Sequence, residues 1–248
     1  MTGKVFLVGA STGDPNLISL RAVEKIKKAD VVLYDRLGGK KILSMILTEA
    51  KAVYVGRAVG DDYKHQDSTN ELMVKYAKTK RRIVRLKGGD PIIFGRGGEE
   101  AEYLKKHKIQ FEIIPGITSG IGSATYAGIP LTHRKFASSV VFVTGHEDSE
   151  KKKEDVRWKK LAKSTDTIVI MMGLARISKI CKQMSEGGME KNTPVAVIQD
   201  GTTSKQKMIT GTISNIAQKV KQSKIKPPSI IIIGKVVSLS KTIGWRKK

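Results

Sequence analysis

Five times in its first half, the chain sets a short apolar, β-branched run beside a stretch with helical spacing. The runs are Val5-Phe6-Leu7-Val8, Val31-Val32-Leu33-Tyr34, Ala52-Val53-Tyr54-Val55, Ile83-Val84-Arg85-Leu86 and Phe111-Glu112-Ile113-Ile114. The intervening periodicity predicts helices over Asn16–Lys28, Lys40–Leu47, Asp67–Lys78, Gly97–Lys106 and Thr118–Tyr126. A strand that is apolar at consecutive positions is apolar on both faces, and both then need cover. Strands of this kind, joined by helices, form a mainly parallel sheet in an α/β layer architecture.

The stretch Gly128 to Ser139 changes character, with Pro130, a basic His133-Arg134-Lys135 and a pair of serines, and reads as an interdomain connection. Beyond it, strands are expected at Val140–Thr144, Thr167–Met172, Val195–Gln199, Gln206–Thr210 and Ile230–Ile233. Helices are expected near Trp158–Lys163, Ile177–Glu186 and Ile213–Gln222. The expectation is two α/β domains, residues 1–132 with a mainly parallel sheet and residues 133–248 with a mixed one, followed by a frayed Lys/Ser-rich tail.

Other features narrow the class. The start lacks the apolar stretch of a signal peptide, and no segment approaches the roughly 20 apolar residues of a membrane span. Cys181 is the single cysteine, so no internal disulfide is possible, and a reducing cytoplasm is expected. Four scattered histidines and that cysteine give no ligand pair at metal spacing, so no metal is expected. The net charge of +23 suits a polyanionic partner: nucleic acid, an acidic membrane or a multiply carboxylated small molecule. Aromatic residues, only 5% of the chain, are not interleaved with the basic runs, which counts against a nucleic-acid platform.

The most informative regularity lies in the loops at the ends of the N-terminal strands. The strands lead into Gly9-Ala10-Ser11-Thr12-Gly13-Asp14-Pro15, Asp35-Arg36, Gly56-Arg57, Lys87-Gly88-Gly89-Asp90-Pro91 and Pro115-Gly116-Ile117-Thr118-Ser119. In a parallel sheet all five ends emerge along one edge, where ligands bind, and glycines there permit close backbone approach or positive φ. The first loop matches neither the dinucleotide pattern nor a P-loop. Taken alone, Asp14-Pro15 also reads as a helix cap followed by proline at the first helical position.

Several segments resemble the uroporphyrinogen-III C-methyltransferases of the tetrapyrrole methylase superfamily. They are Val8-Gly9-Ala10, Gly13-Asp14-Pro15, Ala29 to Leu37, Val84 to Pro91, Phe94 to Glu100, Pro115 to Thr118, Gly128 to Arg134 and Val143 to His146. The likeness continues through Met172-Gly173-Leu174, Pro194-Val195-Ala196, Asp200-Gly201-Thr202 and Pro228-Ser229-Ile230. It implies a cytoplasmic homodimer that methylates two pyrrole carbons of uroporphyrinogen III with S-adenosylmethionine, releasing S-adenosylhomocysteine and giving precorrin-2 for sirohaem or corrinoid synthesis.

The resemblance implies cofactor contacts from Thr12, Gly88, Gly89, Asp90, Ile93, Thr118, Ser119, Met172 and Gly201. It gives chemistry and substrate handling to Asp35, Arg57, Arg96, Glu99 and Arg134, with Arg36 adjacent. Asp35 is the candidate base, its alternative an N-cap or an ion pair with Arg36. Arg36, Arg96 and Arg134 suit bidentate capture of carboxylate arms, and Glu99 would orient an arginine. Two departures stand out. Ser11-Thr12 replace the family's Gly-Pro, so a positive φ at Ser11 would force a different bend. Arg57 stands where relatives carry a lysine, and a guanidinium suits holding charge better than giving up a proton. A ribosomal RNA ribose methyltransferase, a non-catalytic nucleic-acid-binding protein and a dinucleotide oxidoreductase are the alternatives.

Overall fold

The computed structural model describes residues 2–36, 40–45, 49–56, 64–145 and 156–246. By its internal contacts the chain divides into Met1–Ser119 and Gly120–Lys248. Among the described residues of the first unit, β1 (Lys4–Gly9), β2 (Val31–Tyr34), β3 (Lys51–Tyr54), β4 (Arg82–Lys87) and β5 (Gln110–Ile114) form one sheet, ordered β3-β2-β4-β1-β5. Every pairing in it is parallel.

Among the described residues, four helices cover this sheet: α1 (Leu20–Lys27), α2 (Lys40–Met45), α3 (Lys64–Thr79) and α4 (Gly97–Lys106). Side chains alternate across a strand, and that alternation sorts the apolar runs into two cores. Phe6, Val8, Val32, Val84 and Leu86 pack with Ala22 and Ile26 of α1 and Ile42 of α2. Val5, Leu7, Val31, Leu33 and Ile83 pack with Met73, Val74 and Ala77 of α3 and Leu104 of α4. With both faces buried, the strand ends are where the sheet meets solvent or ligand.

The expected helix Asn16–Lys28 is interrupted. Pro15–Leu17 is a short 3-10 turn capped by Asp14, whose carboxylate accepts the Asn16 N–H at 2.9 Å. Ile18 is extended, and Ser19 starts α1 afresh by accepting the Ala22 N–H at 3.2 Å. A second good cap within the run makes two short elements where periodicity alone implies one.

In the second unit, β6 (Val140–Thr144), β7 (Thr167–Met171), β8 (Pro194–Gln199), β9 (Lys207–Thr212) and β10 (Ser229–Ile233) are ordered β6-β7-β10-β8-β9. β6 is parallel to β7, and the remaining pairings are antiparallel. The helices are α5 (Ser119–Tyr126), α6 (Trp158–Ser164), α7 (Ile177–Glu186), α8 (Ile216–Gln222) and α9 (Ser240–Ile243). α6, α7 and α8 bury Trp158, Ile180, Met184 and Ile216 against one face. Ala124 of α5 and Ile129 lie against the other. A Cβ on Gly120 would meet the Phe142 ring at 2.7 Å, so α5 sits close on this sheet. The Gly128–Ser139 stretch therefore lies inside the second unit, and the division falls at the start of α5.

The tail is built in. Lys235–Leu239 forms a 3-10 helix burying Val236 and Val237, and Trp245 donates its indole N–H to the Thr125 carbonyl at 3.1 Å. Its two apolar valines and one tryptophan outweigh the polar composition that suggested fraying. Among the described residues, no helix is long and apolar enough to cross a membrane.

One ion-pair cluster ties β1 and α1 to β5. Lys4 and Arg21 both donate to the Glu112 carboxylate, and these bonds, that to Lys4 foremost, hold Glu112 at about 2. A carboxylate depressed in the folded state contributes stability that is present above its unfolded pKa and lost as pH falls toward the folded one. Urea titrations of the wild type should therefore weaken from about pH 5 to about pH 2 more steeply than those of Glu112→Gln. Parallel curves for the two proteins would remove Glu112 as an acid-sensitive tie.

Candidate active site

At the carboxyl edge of the first sheet, three strand ends meet backbone to backbone. Ser11 and Gly89 form an antiparallel bridge: the Ser11 N–H donates to the Gly89 carbonyl at 3.1 Å, and the Gly89 N–H to Ser11 at 2.8 Å. A Cβ on Gly9 would lie 2.6 Å from Gly116 N, and one on Gly116 only 2.3 Å from the Gly89 carbonyl oxygen. No side chain fits between these loops, which is what the glycines provide.

Two side chains lock the arrangement. Ser11 Oγ accepts the Ile117 N–H at 3.0 Å, joining the β1 loop to the β5 loop. Asp90 uses both carboxylate oxygens: Oδ1 accepts the Ile92 and Ile93 N–H groups at 2.8 and 3.1 Å, and Oδ2 accepts the Gly116 N–H at 3.1 Å. Ser11 does take positive φ, at 58°. A left-handed serine costs about 1–2 kcal/mol, and its hydroxyl's bond to Ile117 offsets much of that. The loop keeps the glycine-like bend.

Between Pro91 and Gly97 the chain makes a tight knot, closed by the Gly97 N–H donating to the Pro91 carbonyl at 2.8 Å. Phe94 and Arg96 are both left-handed, with φ of 53° and 60°. Ile92, Ile93 and Phe94 are thrust outward and exposed. Gly89 itself, φ 71°, faces Thr118 and Ser119 across a gap that a Cβ would enter, 3.7 Å from Ser119 N. Gly88, next to that gap, is partly exposed.

Beneath the rim lies a cluster of opposite charges. Arg85 Nε donates to Glu100 Oε1 at 3.2 Å, Nη1 to the Leu86 carbonyl at 2.9 Å and Nη2 to Asp35 Oδ2 at 3.3 Å. Lys87 Nζ donates to the same Glu100 oxygen at 2.8 Å. Arg85, Lys87 and Glu100 are buried and Asp35 is half-buried. Burial, and next the neighbouring Arg85 charge, hold the Lys87 ammonium below its usual value. Asp35 is thus ion-paired with Arg85, from the adjacent strand.

Arg96 stands at the N-cap of α4 and pairs loosely with Glu99, Nε to Oε1 at 3.6 Å, both groups in solvent. Arg36 is exposed beside Asp35, and Thr12 is half-buried in the β1 loop. Arg57 lies outside the described residues. In the second unit, β6, β7 and β8 run the same way and end at one edge of their sheet. Met172 follows β7 with φ 55° and is exposed; Asp200 and Thr202, flanking Gly201 after β8, have φ of 48° and 69°. A Cβ on Gly201 would strike the Ser123 hydroxyl at 2.0 Å. Arg134 is exposed in the turn closed by the His133–Ala137 bridge.

The structure brings together Gly89, Asp90, Thr118 and Ser119 in the first unit, with Asp35 at the end of the neighbouring strand. Sequence reasoning gave no role to Arg85, Lys87 or Glu100, although Lys87 and Glu100 fall within the loop and glycine-rich stretch it singled out. Their signal is in the chain: charges at alternate positions of a run otherwise apolar, followed by paired glutamates.

Residues 4–217 match the family model Tetrapyrrole (Corrin/Porphyrin) Methylases. The chain is 47% identical over 244 residues to a siroheme synthase of Nitrosomonas europaea, covering 98% of this chain and 51% of that protein. It thus spans about half the length of the siroheme synthases it matches. A uroporphyrinogen-III C-methyltransferase of Priestia megaterium is 47% identical over 238 residues, covering 96% of this chain and 100% of the relative. In structure, a uroporphyrin-III C-methyl transferase from Thermus thermophilus, solved with S-adenyl homocysteine, aligns at TM-score 0.82 with 34% identity, over 96% of this chain and 100% of that one.

Two substitutions test the rim. Gly116→Ala should lower unfolding free energy by about 1–3 kcal/mol, because its Cβ has no space; an unchanged urea midpoint would contradict the close approach. Ser11→Ala, keeping the strained backbone but losing the bond to Ile117, should cost about 1 kcal/mol. Ser11→Gly, which relieves that strain, should be at least as stable as Ser11→Ala.

Proposed function

The chain belongs to the tetrapyrrole methylase family, and on that footing we propose that it methylates two pyrrole carbons of uroporphyrinogen III to give precorrin-2. The observation that carries the reading is the glycine-built rim, locked by Asp90 and Ser11, with an ion-paired carboxylate and exposed arginines beside it. Two relatives matched over 100% and 94% of their length are named uroporphyrinogen-III C-methyltransferases.

S-adenosylmethionine would supply an electrophilic methyl group on a sulfonium and leave as the neutral thioether S-adenosylhomocysteine. Gly88 and Gly89 let their backbone approach it closely, and Thr118 and Ser119 offer the donors at the start of α5. Asp90 acts through the loop, since its oxygens already accept three backbone N–H groups. Ile93 and its exposed neighbours shield the transfer from water, and Thr12, Met172 and Gly201 are further cofactor contacts in this reading. Asp35, ion-paired with Arg85 at 3.3 Å, accepts the proton displaced from the methylated ring. Arg36, Arg96 and Arg134 grip acetate and propionate arms in bidentate fashion, Glu99 steadies Arg96, and Arg57 adds positive charge. Alignment of the ring carbon with the methyl group is the main catalytic contribution.

The excess of positive charge suits a macrocycle bearing many carboxylates. The proposal also includes a homodimer acting in a reducing cytoplasm and feeding sirohaem or corrinoid synthesis. Cys181 fits such a compartment: burial pushes its thiol up to about 11, so it stays protonated and unreactive.

Incubation with uroporphyrinogen III and S-adenosylmethionine should give a product heavier by two methyl groups on mass spectrometry; unchanged substrate would refute the reading. Asp90→Ala should abolish S-adenosylmethionine binding in calorimetry while circular dichroism still reports a folded chain. Arg134→Ala should chiefly raise KM for the tetrapyrrole, and unaltered steady-state kinetics would remove Arg134 from the site.

A further inference from the structure

The charges beneath the rim have a role that packing does not explain. In the sheet register Arg85 lies between Leu7 and Leu33. These leucines belong to the core facing α3 and α4. An aliphatic residue would serve that position, and exchanging buried ion clusters for apolar side chains is often neutral or stabilising by about 1–4 kcal/mol. The chain instead buries Arg85 and Lys87 of β4 against Glu100 of α4, to 6%, 4% and 0% exposure.

The geometry of Arg85 says what the burial achieves. Its guanidinium is planar, and three acceptors in different directions fix that plane: Glu100, the Leu86 carbonyl and Asp35. Glu100 draws Nε toward α4 while also taking the Lys87 ammonium. The Nη2 edge is left aimed at the end of β2, where Asp35 emerges into the half-exposed margin of the site. The charges alternate Asp35, Arg85, Glu100, Lys87, so each has an opposite neighbour and the cluster is neutral overall.

We propose that Arg85 is a positioning residue, set by Glu100, that fixes the direction of the Asp35 carboxylate at the site's margin. The inference rests on the methyl-transfer reading, with Asp35 as proton acceptor. It adds that the proton acceptor is pre-aimed from inside the sheet, by a guanidinium on the neighbouring strand. Lysine at position 85 would keep the charge but cannot bond to Glu100, Leu86 and Asp35 at once.

The test uses the full chain and the variants Arg85→Lys, Asp35→Asn and their combination, each checked by thermal melting and S-adenosylmethionine calorimetry. Arg85→Lys should bind S-adenosylmethionine within about twofold of wild type, yet lose about 10- to 100-fold in kcat with little change in KM. The acid limb of its kcat–pH profile should shift upward, as the carboxylate loses the Nη2 hydrogen bond. The double variant should be no slower than Asp35→Asn alone, because Arg85 acts through Asp35. A kcat within about twofold of wild type, an unmoved profile, or multiplicative losses in the double variant would each overturn the proposal.

A second readout needs no turnover. Carboxyl carbon NMR of the wild type and of Glu100→Gln follows the titration of Asp35 in the field of Arg36, Arg85, Lys87 and Glu100. Arg85→Lys, or the paired Arg85→Gln/Glu100→Gln variant should the lysine variant fail to fold, should raise the Asp35 midpoint; an unchanged midpoint overturns the positioning role. Were the wild type to give no methylated product, the methyl-transfer reading would fall, while the NMR titration would still decide whether Arg85 governs Asp35.

Discussion

Backbone meets backbone, with nothing between, where Gly9, Gly89 and Gly116 converge at the carboxyl edge of the first sheet. The Ser11–Gly89 bridge, the bond from Ile117 to Ser11 and the bond from Gly116 to Asp90 all require that approach. Three loops that would each lose backbone entropy of about 1–2 kcal/mol per fixed residue share one set of restraints. The apolar knot and α5 both start from these bonded loops.

Much of this was readable from the chain, for a definite reason. Apolar side chains on both strand faces leave few alternatives to a covered parallel sheet, so β1 to β5 lie where the runs predicted, and α4, α7 and β6 coincide with their expected spans. What periodicity does not carry is a cap hidden inside a helix-like stretch, as at Ser19, or long-range packing. The Gly128–Ser139 stretch has the composition of a linker, yet Ile129 and Ala137 are buried within the second unit. The tail has a polar composition, yet two valines and a tryptophan dock it. Ser11 is instructive in a third way: the departure from glycine pointed to an altered loop, but the hydroxyl's reach to Ile117 preserves the bend.

The site was legible in its loops and illegible in its foundation. Glycines, Asp90 and the arginines announce themselves because their residue types are unusual after strands. Arg85 and Lys87 sit inside a run that reads as strand, and their partners are distant in sequence: Glu100 is on α4 and Asp35 at the end of β2. Pairing of that kind is a property of register and helix placement, absent from any local window. Glu99 and Glu100 illustrate the limit: neighbours of identical chemistry, one solvated beside Arg96 and one fully enclosed.

The neutral alternation Asp35, Arg85, Glu100, Lys87 also bears on how such a chain can diverge. Losing one member strands an opposite charge in a dry setting, which is strongly destabilising, whereas exchanging a cation and its carboxylate together leaves no orphan. Drift at these positions is therefore expected to proceed by coordinated pairs. Among related chains, the identities at 85 and 100 should be correlated with each other far more tightly than either is with its neighbours along the polypeptide.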